Sequence, residues 1–125
     1  MPLAASLIRV LVVEDEIFIR MDVVDTLLGA GFEVLEANDA DEAIQLLEVD
    51  LTIRLIFTDI DMPGSMNGLK LAAAVRDRWP PVKIIATSGR FKIQAGDLPA
   101  GALFLPKPCQ PAQIINAIRE LTTVA

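Results

Sequence analysis

Five short apolar runs set the frame of this chain: IRVLVV at 8–13, FEVLEA at 32–37, RLIFT at 54–58, VKIIAT at 82–87 and ALFLP at 102–106. They are continuous rather than alternating, as strands buried on both faces are. Between them lie segments with helical spacing. The first places Ile17, Met21, Val24 and Leu28 on one face and stops near Gly29 and Gly31. The second starts at Asp39, a residue suited to cap a helix, and turns Ala40, Ala43, Ile44 and Leu47 inward. The third aligns Leu71, Ala72, Val75 and Trp79 and is ended by Pro80 and Pro81. The last follows Pro111 and aligns Ile114, Ile118 and Leu121. Strand and helix in alternation predict an α/β fold, a doubly wound five-stranded parallel sheet with helices on both faces. The stretch from Gly89 to Gly101 is short and carries Gly96 and Pro99, so a helix there is expected to be short or irregular.

Folds of this kind bind ligands at the carboxyl ends of their strands. Four of the five runs end in polar residues. The first gives Glu14 and Asp15, the third Asp59 with Asp61 two residues on, the fourth Thr87 and Ser88, and the fifth Lys107. A packed core asks for none of these. Three carboxylates at close quarters repel one another unless a cation sits among them. A hard oxygen donor set in a chain with no His points to Mg2+. A carboxylate can also attack phosphorus, giving an acyl phosphate, while a metal, a lysine and a hydroxyl each meet an equatorial phosphoryl oxygen. Asp59 as nucleophile and metal ligand, Asp15 as ligand, and Lys107 and Ser88 as phosphoryl partners use every member. The backbone carbonyl of Asp61, where the chain turns at MPG, supplies a further metal position.

The bulk properties remove several other classes. At 125 residues the chain is expected to be one domain, 1–125, with its core at about 7–122. Its 53% hydrophobic and 22% charged residues describe a globular chain rather than a disordered one. The net charge is -6 and the Lys and Arg residues are scattered, so no nucleic-acid partner is expected. Arg9, Glu14 and Arg20 interrupt the N-terminal apolar region, and no signal-like segment precedes it, so neither a membrane partner nor secretion is expected. Cys109 stands alone, consistent with a reducing, cytoplasmic setting.

The acid pair in VVEDE, the run TDIDMPG, the pair SG at Ser88 and the KP at Lys107, in that order, resemble the receiver domain of two-component response regulators, of the single-domain, CheY-like kind. The likeness covers about residues 7–122. It implies the flavodoxin-like strand order 2-1-3-4-5, which puts Pro106 on an edge strand. It also implies Mg2+ dependence and phosphotransfer from a sensor histidine kinase or phosphotransfer protein onto Asp59, which becomes an aspartyl phosphate. Glu14 then acts on the metal through water and Asp15 directly. Ser88 moves onto the phosphoryl group, Phe104 turns inward with it, and the Lys107–Pro108 bond is cis. Output runs to an unknown downstream protein, with no output domain in the chain, which is expected to be a monomer or weak homodimer. Such a domain is a signalling module, not an enzyme, apart from its own phosphorylation and dephosphorylation.

Two departures stand out: MPGSMNG is one residue longer than the family's usual turn, and Asp61 adds a carboxylate whose side chain has no assigned role. Duller readings exist for each residue: Glu14 and Asp15 as helix caps, Ser88 as a turn, Lys107 as a surface lysine, Phe104 as core. Thr87 is an alternative to Ser88 as the hydroxyl. Two other functions remain open at this level. One is a receiver-like interaction module that works without phosphorylation. The other is a haloacid-dehalogenase-type phosphatase, whose Asp-x-Asp motif DID resembles and which needs a later acid pair, for which only GDLP at 96–99 is available.

Overall fold

The computed structural model describes residues 7–62, 66–89, 94 and 96–123. The elements run β1 (Arg9–Val13), α1 (Ile17–Gly29), β2 (Glu33–Ala37), α2 (Ala40–Val49), β3 (Ile53–Asp59), α3 (Gly68–Arg78), β4 (Lys83–Ser88), β5 (Leu103–Pro106) and α4 (Pro111–Thr122). All strand pairs are parallel and the order is β2-β1-β3-β4-β5, the flavodoxin-like arrangement. Strand order reverses at β1, which has β2 on one side and β3 on the other, and this puts the crevice of the fold above β1 and β3.

Alternation along the strands divides the interior in two. Leu11, Val13, Ile56 and Ile84 face α2 and α3, where they meet Ala43, Leu47, Leu71 and Val75. Val10, Val12, Leu55, Phe57 and Ile85 face α1 and α4, where they meet Val24, Leu27, Ile114 and Ile118. β1, β3 and β4 are therefore apolar on both faces, which is why their sequences do not alternate. α2 starts as its sequence predicts, with the Asp39 carboxylate accepting the N–H of Glu42 at 2.9 Å.

α1 corrects the sequence reading. Its buried residues are Val24 and Leu27, whereas Ile17, Met21 and Leu28 are 53%, 51% and 54% exposed. The helix is apolar nearly all round, so no stripe of its sequence selects the inward face. Packing against the sheet and α4 selects it instead. Between β4 and β5 the described residues form turns, with Gly96 and Gly101 at φ of +96° and +86°. Side chains with a Cβ rarely adopt that backbone, and it cannot propagate a helix. The rest of the expected short helix, residues 90–93 and 95, lies outside the described residues.

Candidate functional site

Each strand that ends at the crevice delivers a side chain to it. β1 runs straight into Glu14, β3 closes on Asp59, β4 closes on Ser88, and Lys107 follows β5 directly. Glu14 and Asp59 are 4% and 3% exposed, as dry as the core below them. Lys107 reaches across the sheet edge, its Nζ 3.3 Å from Glu14 Oε1 and 3.4 Å from Asp59 Oδ1. The N–H of Glu16 donates to Glu14 Oε2 at 3.1 Å, and the N–H of Asp61 donates to Asp59 Oδ1 at 3.1 Å. The two loops therefore fold back onto the carboxylates that precede them.

Two supports escaped the sequence reading. Arg20, one turn into α1, donates to the backbone carbonyl of Glu14 at 2.7 Å and pairs with Glu36 at 3.0 Å, tying the end of β1 to β2. The sequence reading uses Arg20 only as a charge that interrupts the N-terminal apolar region. Gly68, the first residue of α3, lies so close to β3 that a Cβ there would sit 2.2 Å from the Asp59 carbonyl oxygen and 2.6 Å from Ile60 Cα. Its N–H donates to the Ile60 carbonyl at 3.2 Å. The glycine of the NG pair is thus what lets α3 begin against the residue beside Asp59. The Asn67 side chain caps the same turn by accepting the Lys70 N–H at 3.0 Å.

The charge balance is uneven. Glu14, Asp15 and Asp59 each offer an oxygen, and the three oxygens lie within 4.8 Å of one another. Among the described residues Lys107 is the one cation paired with them. Burial pushes the Glu14 carboxyl up to about 7, and the neighbouring Asp59 charge adds to this against the pull of Lys107. Asp59 is likewise raised, first by burial, and its bonds to Asp61 and Lys107 oppose that only in part. For Lys107, burial alone would lower the pKa, but the charges of Asp59 and Glu14 outweigh it and hold the ammonium on. Both buried carboxylates therefore resist ionisation unless more positive charge arrives. An all-oxygen set with excess negative charge fits a hard divalent cation, and these three residues could hold one.

The remaining sequence candidates fall as follows. The Asp61 carboxylate is not part of the three-acid group; its Oδ2 accepts the Ser88 hydroxyl at 2.9 Å. Ser88 rather than Thr87 faces the acids, because the Thr87 hydroxyl lies against Cys109 Sγ at 3.3 Å. Phe104 is half-buried on edge strand β5, opposite Ala86 of β4. The Lys107–Pro108 peptide is cis. Asp97, the acid a phosphatase reading would need, is exposed and accepts the Gln94 N–H at 2.8 Å within a turn.

The doubly wound sheet and the acids at its switch point define the receiver class. The chain belongs to the response regulator receiver domain family of two-component systems, whose sequence model matches residues 10–119. It is 34% identical over 118 residues to the chemotaxis protein CheY of Thermotoga maritima, covering 91% of this chain and 97% of that protein. It is also 35% identical over 116 residues to the sensor kinase CckA of Brucella abortus, where the match covers 90% of this chain but 12% of the kinase. A response regulator receiver protein from Sinorhizobium medicae superposes with a TM-score of 0.87 at 28% identity, covering 94% of this chain and 96% of that one. Family membership makes this a CheY-like signalling domain rather than an enzyme. No helix among the described residues is long and apolar enough to cross a membrane.

Proposed function

We propose that the chain is a phosphoacceptor receiver that takes a phosphoryl group from a histidine kinase or phosphotransfer protein onto Asp59, with Mg2+, and signals to a downstream partner through a conformational switch. The observation that carries this is the convergence of Asp59, Glu14, Asp15 and Lys107 at one dry sheet edge.

In the transfer, the N–P bond of a phosphohistidine breaks with its electron pair left on the imidazole, and an O–P bond forms at the Asp59 carboxylate. Bound Mg2+ supplies positive charge to the phosphoryl oxygens. Asp15 and Asp59 would hold it directly, Glu14 through water, and the backbone carbonyl of Asp61 from the turn. Lys107 offsets part of the burial that opposes ionisation of Asp59, and it takes one phosphoryl oxygen as negative charge builds there. The Ser88 hydroxyl donates to another, and Phe104 turns inward with it. The exposed apolar start of α1, Ile17 and Phe18, adjoins the crevice and suits docking of the protein donor. Phe18 is 79% exposed and stands beside exposed Ile17 and Met21, a contiguous apolar patch of the kind that suits a protein contact.

The test is intact mass after incubation with acetyl phosphate and Mg2+. One phosphoryl adduct is expected, dependent on Mg2+ and missing in Asp59→Asn. Unmodified mass in the wild type would leave the phosphorylation-independent interaction module as the better reading.

A further inference from the structure

We propose that Asp61 is a positioning residue that holds the Ser88 hydroxyl as a rival acceptor to the phosphoryl group, biasing this chain toward its unphosphorylated arrangement. The proposal rests on Asp59 being the phosphoacceptor.

A serine hydroxyl carries one proton and can donate it to one acceptor at a time. In this structure the proton goes to Asp61 Oδ2, at 2.9 Å. The geometry makes that bond hard to give up. Asp61 Oδ1 is buried and has no hydrogen-bond partner among the described residues, so the Ser88 hydroxyl is the one side-chain donor they give this carboxylate. Lys107 offers it no relief, since the ion pairs of that ammonium are with Glu14 and Asp59. The turn is pinned as well. The Asp61 N–H is bonded to Asp59 Oδ1 at 3.1 Å, and the Ile60 N–H to the Thr87 carbonyl at 2.9 Å. The Asp61 backbone is thereby fixed beside the end of β4, and its carboxylate stays within reach of Ser88. A phosphoryl group on Asp59 that recruits Ser88 must therefore strip a partly buried carboxylate of its donor. Releasing a charged acceptor costs more than releasing a neutral one.

The experiment measures binding of beryllofluoride, a phosphoryl mimic, with Mg2+ to the wild type, Asp61→Ala, Ser88→Ala and the double variant. Asp61→Ala is expected to bind about tenfold tighter, the size of one charge-assisted hydrogen bond. In the Ser88→Ala background the same substitution is expected to change affinity by less than about twofold, because the two side chains act as a coupled pair. Asp61→Asn, which keeps an acceptor oxygen without the charge, is expected to fall between wild type and Asp61→Ala, and serves as the readout if the alanine variant does not fold. A tenfold gain that persists without Ser88 would mean that Asp61 acts by charge repulsion alone, and would overturn the proposal. Unchanged or weaker binding in both Asp61 variants would overturn it too, while leaving the phosphoacceptor reading intact. Failure of the wild type to bind beryllofluoride would remove that reading and this one together.

Discussion

The middle of the sheet and its carboxyl edge are equally dry and are built on opposite terms. Leu11, Ile56 and Ile84 are fully buried and gain from every contact they make. A few residues further along the same strands, Glu14 and Asp59 are 4% and 3% exposed, with one lysine shared between them and burial opposing their charges. The interior stabilises the fold. The edge draws on that stability to keep carboxylates where water would otherwise neutralise their mutual repulsion. Buried unbalanced charge of this sort is what a cation or a charged ligand would relieve.

Substitutions should separate the two terms by sign. The largest effect belongs to the interior. Ile56→Ala is expected to cost roughly 2–5 kcal/mol in urea unfolding, and a cost near zero would mean that the centre of the sheet is not where stability resides. Gly68→Ala comes next, at about 1–3 kcal/mol. The new methyl would meet the Asp59 and Ile60 backbone, which cannot swing aside as a side chain could. Because it strikes the seam between interior and edge, it is expected to weaken Mg2+ binding as well, measurable by calorimetry.

At the edge itself the sign should reverse. Asp59→Asn, without divalent metal, is expected to stabilise the fold by on the order of 1 kcal/mol, because it removes a charge whose ionisation the site opposes. The pH dependence follows the same logic. Glu14 titrates at about 7 in the folded protein against an ordinary value of 4.5, so the folded state binds more protons than the unfolded chain between those values. Metal-free stability should therefore fall as pH rises through that window, by a few degrees in Tm. Added Mg2+ should stabilise more at pH 8 than at pH 5, and a flat metal-free profile would refute the account of the edge. The smallest effect is expected on the exposed side of α1. Phe18→Ser should change stability by less than about 0.5 kcal/mol while slowing phosphotransfer from a protein donor and leaving acetyl phosphate chemistry alone.

The sequence was most legible where one physical requirement dominated. Continuous apolar runs read as strands covered on both faces, which holds for β1, β3 and β4 but not for the half-buried edge strands β2 and β5. Asp39, Leu47, Leu71 and Val75 sit as periodicity required because α2 and α3 each have one apolar stripe. The polar strand ends were readable for a related reason: nothing in packing accounts for Glu14, Asp59, Ser88 and Lys107 at one edge. α1 failed the same test because Ile17, Phe18, Met21 and Leu28 offer several stripes and no preference among them. The choice between Thr87 and Ser88 needed coordinates, since adjacent residues leave a strand in opposite directions and either phase satisfies the pattern. Likewise the Asp61–Ser88 bond joins residues 27 apart in the chain, a pairing that only the register of β3 against β4 creates.

Lys107 belongs to the chain that leaves β5, an outer strand, yet its ammonium rests on carboxylates carried by β1 and β3, across the width of β4. It works as a tether between the rim of the sheet and its middle. On the proposed function, a phosphoryl group at Asp59 that drew the ammonium toward itself would also load the start of α4 and the strand before it, at the margin of the sheet.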